Sequence, residues 1–154
     1  MAKEIERKYL LKDDSWRNSA TGHLCSQGYI STDKNCVVRI RVSKGKGYIT
    51  IKGKLENISR PEYEYEIPLK DAQGFLEKFC GKTLIEKTRY ALEYKGHLWE
   101  IDEFHGNNSG LILAEIELEN EEEKFELPEW AGKDVTDDFR YYNSYLAEKP
   151  FTTW

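Results

Sequence analysis

In six stretches of this chain, charged residues of one sign recur at every second position: Glu4/Glu6, Arg39/Arg41, Glu62/Glu64/Glu66, Lys87/Arg89, Glu100/Asp102 and Glu115/Glu117/Glu119. A period of two is the period of a β-strand, on which residues i and i+2 share a face. Each stretch therefore sets two or three like charges side by side, and acidic and basic strands both recur. Such faces are costly unless opposite charge is held against them, so the fold has to bring them together.

The strand pattern extends along most of the chain. Residues 3–11 alternate, residues 25–31 carry Gly28-Tyr29-Ile30, and residues 37–43 and 48–53 flank a Lys44-Gly45-Lys46-Gly47 turn that signals a hairpin. Residues 60–69 alternate strictly, with Tyr63, Tyr65 and Ile67 opposite three glutamates. Further strands are expected over residues 84–93, 97–104 and 111–119. Helical turns are expected over 13–19 around Trp16, and a helix over 71–80, with Asp71 as its cap and Phe75, Leu76 and Phe79 at helical spacing. A short helix is predicted over 121–125. A last one, capped by Thr136, is predicted to run through Tyr141 and Tyr145 to about Glu148, before Pro150. With no linker or low-complexity block, residues 1–154 read as one domain. Its expected class is mainly β (α+β): an eight-stranded antiparallel closed β-barrel with a few peripheral helices. In a barrel one face of every strand points into the lumen, so the charged positions converge there.

Composition narrows the function. Hydrophobic residues make up 39% and charged residues 33%, so the surface or an interior channel is unusually polar. A formal net charge of −5 argues against a general nucleic-acid binder but not against a small anionic ligand, which reads local potential. Cys25, Cys36 and Cys80 form no CxxC pair, which disfavours a disulfide framework or zinc site and fits a reducing cytoplasm. The opening MAKEIERKYLLK is no signal peptide, and no apolar run is long enough to span a bilayer. A cytoplasmic protein without membrane or nucleic-acid partners is expected, as a monomer or homodimer.

The ordinary explanation of alternating charge is a solvated sheet face or a set of cross-strand ion pairs. Three features favour a binding lumen instead. Each face keeps one sign along its strand. Arg39, Arg41 and Arg89 each offer a bidentate fork to phosphate oxygens. Glu-x-Glu pairs near both ends of the chain, Glu4/Glu6 and Glu115/Glu117, can bring four carboxylates to one point, the oxygen donors that Mg²⁺ or Mn²⁺ takes. Lys8, directly after Glu4-x-Glu6, suits a phosphate oxygen bridging to such a metal. A polyphosphate with its metal ion is the natural ligand for these residues.

Glu4-Ile5-Glu6-Arg7-Lys8 resembles the ExExK signature of the CYTH superfamily, the triphosphate tunnel metalloenzymes. The order of the later strand motifs strengthens the resemblance: Gln27-Gly28-Tyr29, Arg39-Ile40-Arg41, Thr50-Ile51-Lys52, Arg60-Pro61-Glu62-Tyr63-Glu64, Lys87-Thr88-Arg89-Tyr90, Glu100-Ile101-Asp102 and Ala114-Glu115-Ile116-Glu117. Val135-Thr136-Asp137, with Arg140-Tyr141 and Asn143, is similar to the family's C-terminal signature. The short single-domain form is most similar to the bacterial inorganic tripolyphosphatases.

That resemblance implies a barrel enclosing a tunnel, with a triphosphate on a basic wall and Mg²⁺ or Mn²⁺ on an acidic one. The phosphate cradle would be Lys8, Arg39, Arg41, Lys52, Lys87 and Arg89, with Arg140 as a further candidate. Metal ligands would be Glu4, Glu6, Glu115 and Glu117, with Asp102 at a second metal or its water. Glu62 and Glu64 would orient basic side chains or bind metal through water. Lys8 and Tyr29 would form a pair near the scissile phosphoryl group, although a strand tyrosine is more often a packing residue. With Glu6 near the attacking water, these are the expected catalytic residues. No serine or cysteine nucleophile is required, and His23, His97 and His105 lack a relay spacing.

The implied activity is hydrolysis of inorganic triphosphate to pyrophosphate and phosphate. A class IV adenylate cyclase and a thiamine or nucleoside triphosphatase are the alternatives on the same fold. A non-catalytic sensor of polyphosphate or nucleotides is the alternative from another class.

Overall fold

The computed structural model describes residues 3–154, so the first two residues of the expected domain lie outside the described residues. Nine strands form one antiparallel sheet: β1 (Lys3–Leu11), β2 (Thr21–Asp33), β3 (Cys36–Ser43), β4 (Lys46–Gly53), β5 (Ser59–Ile67), β6 (Ile85–Tyr94), β7 (His97–Phe104), β8 (Ile112–Glu117) and β9 (Ala131–Asp134). Their order is β5-β4-β3-β2-β6-β7-β8-β1-β9. The additional β5–β1 pairing, Lys3↔Pro61 to Ile5↔Ser59, closes β1–β8 into the expected eight-stranded barrel. β9 was not anticipated. It pairs with β1 at Tyr9 and Leu11, on the half of that strand β5 does not reach.

Two tight turns set the hairpins. Lys44 and Gly45 (φ 52° and 75°) connect β3 to β4, and Lys95 and Gly96 (φ 50° and 81°) connect β6 to β7. Two successive left-handed residues are the geometry that matches strand twist, and glycine in the second position adopts it without strain. The first turn thus takes two residues rather than the four expected, and β4 starts at Lys46.

Two of the three apolar clusters lie outside the barrel wall. Ile5, Tyr9, Leu92, Trp99, Ile101 and Ile116 face outward and are covered by Trp16, Phe125 and Trp130. Trp16 sits on a 3-10 helix, Ser15–Ser19, in the expected helical stretch. On the opposite wall, helix α1 (Leu69–Phe79) lays Ala72, Phe75 and Leu76 over Ile40, Val42 and Ile49. It comes this close because the sheet beneath it carries glycine: a Cβ on Gly47 would sit 2.5 Å from that of Ala72, and one on Gly28 would collide with Cys80. Tyr63 and Tyr65 face solvent on the outer surface, as expected.

Helix boundaries depart from the sequence in three places. α1 starts at Leu69, with Asp71 inside its first turn rather than capping it. Residues 121–125 form no helix. Glu123 bonds the backbone N–H of Glu119 and the ring of His97, and Phe125 is drawn onto Trp99, ring centroids 5.9 Å apart. Thr136 does not cap the last helix, because its hydroxyl accepts from the N–H of Lys8 at 3.0 Å. Asp138 instead accepts from Arg140 N to start a 3-10 turn (Phe139–Tyr141), and helix α2 (Asn143–Glu148) comes next. No helix among the described residues is long and apolar enough to cross a membrane.

Candidate active site

Registers fix which charges share the lumen. On β1 the even positions Glu4, Glu6 and Lys8 point inward, while Ile5 and Tyr9 join the outer core. Cross-strand partners continue the inward row: Glu6↔Glu117 and Lys8↔Glu115 on β8, Glu100↔Glu115 on β7, and Arg89↔Asp102 on β6. On the other side Glu4↔Arg60, Lys52↔Glu62, Thr50↔Glu64 and Arg39↔Thr50 complete the circuit. The result is a cavity of about 290 Å³ whose lining includes seven Lys or Arg and seven Glu side chains.

The cations are Lys8, Arg39, Arg41, Lys52, Lys87 and Arg89, as expected from the sequence, together with Arg60, which was not assigned there. Arg60 donates from Nε to Glu4 at 3.0 Å. Its signal was present, since it lies two residues before Glu62 and so shares that face. Arg39 donates to Thr50 at 3.1 Å, and its buried Nε has no acceptor among the described residues. Arg41 forms no ion pair among the described residues and is oriented by Gln27 Oε1 at 2.9 Å. Burial, together with Arg39 and Arg89, makes the Arg41 charge less favourable than usual. Burial likewise takes Lys87 down to about 8, with Arg89 and Arg41 adding to it and Asp102 opposing it.

The carboxylates divide into paired and unpaired groups. Burial raises Glu4, but Lys52 at 2.8 Å and Arg60 more than offset this and hold it well below the usual range. Glu115 also ends below its ordinary value despite burial, because Lys8 and Arg89 lie 3.7 and 3.8 Å away. Glu62 is 3.4 Å from Lys52 and Glu64 is 3.4 Å from Arg39. Burial and Glu4 push Glu62 up to about 7. Glu6 has no paired cation among the described residues. Burial, Glu115 and Glu4 push it up to about 8. Glu117 opposite is raised by burial, Glu4 and Glu100.

Two expected residues stand apart from the cavity. Asp102 is 1% exposed and wholly engaged: it accepts two bonds from Arg89 at 2.8 Å and one from Lys87 at 2.7 Å. It lies behind Lys87 and Arg89 and does not line the cavity. Arg140 is an exposed residue whose guanidinium grips Asp138 at 2.6 Å, turned away from the lumen. The same Asp138 that starts the 3-10 turn also holds Arg140 outside.

The C-terminal segment lies across one end of the barrel. Lys8 donates to Tyr141 O at 3.2 Å, and Asn143 accepts from Lys87 at 2.9 Å and from Gln27 at 3.1 Å. Leu146 packs with Tyr29, Val37, Ile85 and Leu113. Tyr142, Asn143 and Ser144 therefore line the cavity floor. Tyr29 is buried within this cluster with its hydroxyl bonded to Gln27 Nε2 at 3.3 Å, and it shares the cavity with Lys8. Gln27 and Asn143 carry neither charge nor periodicity, so the alternation pattern passed over them.

Whether these residues suit a divalent cation can be judged from the donor set. Among the described residues no group of three or more His, Cys, Asp or Glu is already gathered around one point, because Glu4 and Glu115 are held by cations. Glu6 and Glu117 are the unpaired hard oxygen donors, opposed on one face and short of positive charge. That chemistry fits Mg²⁺ or Mn²⁺.

Residues 2–149 match the CYTH domain. An inorganic triphosphatase of Acetivibrio thermocellus is 50% identical over 151 residues, covering 98% of this chain and 97% of the relative. An inorganic triphosphatase of Nitrosomonas europaea is 34% identical over 152 residues, covering 94% and 96%. The crystal structure of the inorganic triphosphatase NE1496 superimposes with a TM-score of 0.67 at 32% identity, over 96% of each chain. A putative adenylate cyclase from Bacillus halodurans shares the fold, with a TM-score of 0.60 at 16% identity over 79% of this chain and 84% of that one.

Proposed function

The chain belongs to the CYTH domain family, and on that premise we propose that it hydrolyses inorganic triphosphate to pyrophosphate and phosphate with a divalent cation. The observation that carries this reading is the cavity itself, in which seven cations and seven glutamates share about 290 Å³. A cavity built for a bare anion gains nothing from Glu6 and Glu117. A cavity built for a metal ion alone gains nothing from Arg39 and Arg41. A triphosphate carrying its cation uses both.

In this reading Arg39, Arg41, Lys52, Lys87 and Arg89 hold the phosphate chain, and Arg60 extends the set. Asp102 keeps Lys87 and Arg89 in place, while Glu62 and Glu64 orient Lys52 and Arg39. Glu6 and Glu117 would hold Mg²⁺ or Mn²⁺, joined by Glu4 and Glu115 as phosphate oxygens take over their cations. When bound, the metal ion withdraws charge from the phosphoryl oxygens. Lys8 lies beside the transferring group and stabilises charge there. Tyr29 accepts a hydrogen bond from Gln27, which leaves its own proton free for the departing oxygen. Glu6 accepts a proton from the attacking water.

The test is a substrate panel. Tripolyphosphate, thiamine triphosphate and ATP are each incubated with the protein and Mg²⁺ or Mn²⁺, and orthophosphate, pyrophosphate and cyclic AMP are measured. Pyrophosphate and phosphate from tripolyphosphate at the highest kcat/KM are expected. Cyclic AMP as the main product from ATP would replace this reading with a cyclase. Tight triphosphate binding without turnover in either metal would replace it with a sensor.

A further inference from the structure

Arg41 and Lys87 are joined to α2 through two side-chain amides. Gln27, 0% exposed on β2, accepts from Arg41 Nε at 2.9 Å and donates from Nε2 to Asn143 Oδ1 at 3.1 Å. The same Asn143 oxygen accepts from Lys87 Nζ at 2.9 Å. The run is therefore Arg41–Gln27–Asn143–Lys87, with a cation at each end.

Its polarity is fixed by chemistry. Arginine and lysine only donate, so each amide must turn its oxygen toward its own cation. The joint between the amides then needs a hydrogen from one of them, and Gln27 supplies it. A carboxylate at position 27 could serve Arg41 but would bring no hydrogen to Asn143. Amides also differ from the other supports of the cradle in being neutral. Asp102 orients Arg89 and partly cancels its charge, whereas Gln27 orients Arg41 and leaves its charge available to a ligand.

We propose that Gln27 and Asn143 are positioning residues for triphosphate binding, a bridge through which docked α2 aims Arg41 into the cavity, and tethers the Lys87 that Asp102 pairs, without adding negative charge beside either cation. This rests on the reading of the cavity as a triphosphate site. Removing either amide cuts the link between α2 and Arg41 while Lys87 keeps Asp102 at 2.7 Å, so binding should suffer more than turnover, and losing the second amide should add little to losing the first.

The experiment compares kcat and KM for tripolyphosphate in the full-length protein and in Gln27→Ala, Asn143→Ala, the double variant and Arg41→Ala, with thermal melting to verify folding. Asn143→Ala is expected to raise KM about tenfold with kcat changed less than about threefold, and Gln27→Ala, which also loses the bond to the Tyr29 hydroxyl, to raise KM by the same factor with kcat free to fall. The double variant is expected to show about the same tenfold rise, because coupled neighbours are not additive. A KM within about twofold of the native value in Asn143→Ala, or a double variant showing the product of the singles, overturns the bridge. A lower kcat at native KM overturns it too, since that is what a purely structural role gives through a smaller folded fraction. If an alanine variant does not fold, the near-isosteric Gln27→Glu provides the same test: KM raised about tenfold or more supports the bridge, and native KM overturns it. Native KM in Arg41→Ala removes the triphosphate site along with the bridge. Raised KM there beside native KM in Asn143→Ala removes the bridge alone.

Discussion

Glu6 and Glu117 face each other across the β1–β8 ladder, and neither carboxylate is in ion-pair or hydrogen-bond contact with another described side chain. Every other lumen glutamate lies within 4 Å of a lysine or arginine, or is bonded to one. This opposed pair is where the barrel is short of positive charge.

That shortage makes stability depend on pH. Glu6 ordinarily titrates near 4.5 and is pushed up to about 8 in the folded chain, first by burial. Between those values the folded state holds a proton that the unfolded state has released, so this group's contribution falls as pH rises from about 4.5 to about 8. In EDTA, the melting temperature of Glu6→Gln should gain on that of the native protein across this range. Adding Mg²⁺ or Mn²⁺ at pH 8 should raise the native melting temperature more than that of the variant. A constant gap between the two proteins from pH 5 to pH 8 contradicts the assignment.

Asp102 is the main structural counter-ion of the cradle. Replacing it with alanine leaves Lys87 and Arg89 buried without their shared partner, which should cost about 3–5 kcal/mol in urea unfolding. Tripolyphosphate should stabilise the variant, because its oxygens can take the place of the lost carboxylate. A loss under about 1 kcal/mol is incompatible with the ion pairs seen here.

Tyr29→Phe removes one hydroxyl and keeps the ring packed with Val37, Ile85 and Leu146. If the hydroxyl gives its proton to the leaving oxygen, kcat should fall about tenfold or more while KM stays within about twofold. Unchanged kcat makes Tyr29 a packing residue only.

Arg60 and Arg140 form a matched contrast. Arg60 lines the cavity and Arg140 grips Asp138 outside it. Arg60→Ala is expected to raise KM for tripolyphosphate about fivefold or more, whereas Arg140→Ala should leave KM within about twofold. The reverse order in steady-state assays would exchange their places in the site.

The barrel was legible because its lumen is polar. Charge alternation named strands and inward faces together, and a one-residue slip in register would have put Glu4, Glu6 and Lys8 into the space of Ile5 and Tyr9. What the pattern could not convey was anything dependent on contacts between distant segments. β9 is four residues, AGKD, with no alternating face to betray it, and it forms because half of β1 lacks a neighbour. Residues 121–125 carry helix-forming glutamates, yet the pull of Trp99 on Phe125 decides their path. The bonds that Asp102 accepts from Arg89 and Lys87 were likewise hidden, because they depend on the register of β6 against β7.

The stopper of this barrel follows its wall along the chain. All eight barrel strands are complete by Glu117, yet Lys8 finds its carbonyl partner only at Tyr141, and Lys87 and Gln27 find theirs at Asn143. A chain emerging from the ribosome N-terminus first therefore passes through a stage with a finished wall and an open pipe, its cations not yet aimed. The floor of its pocket is assembled only once Tyr141 and Asn143 have followed the wall out.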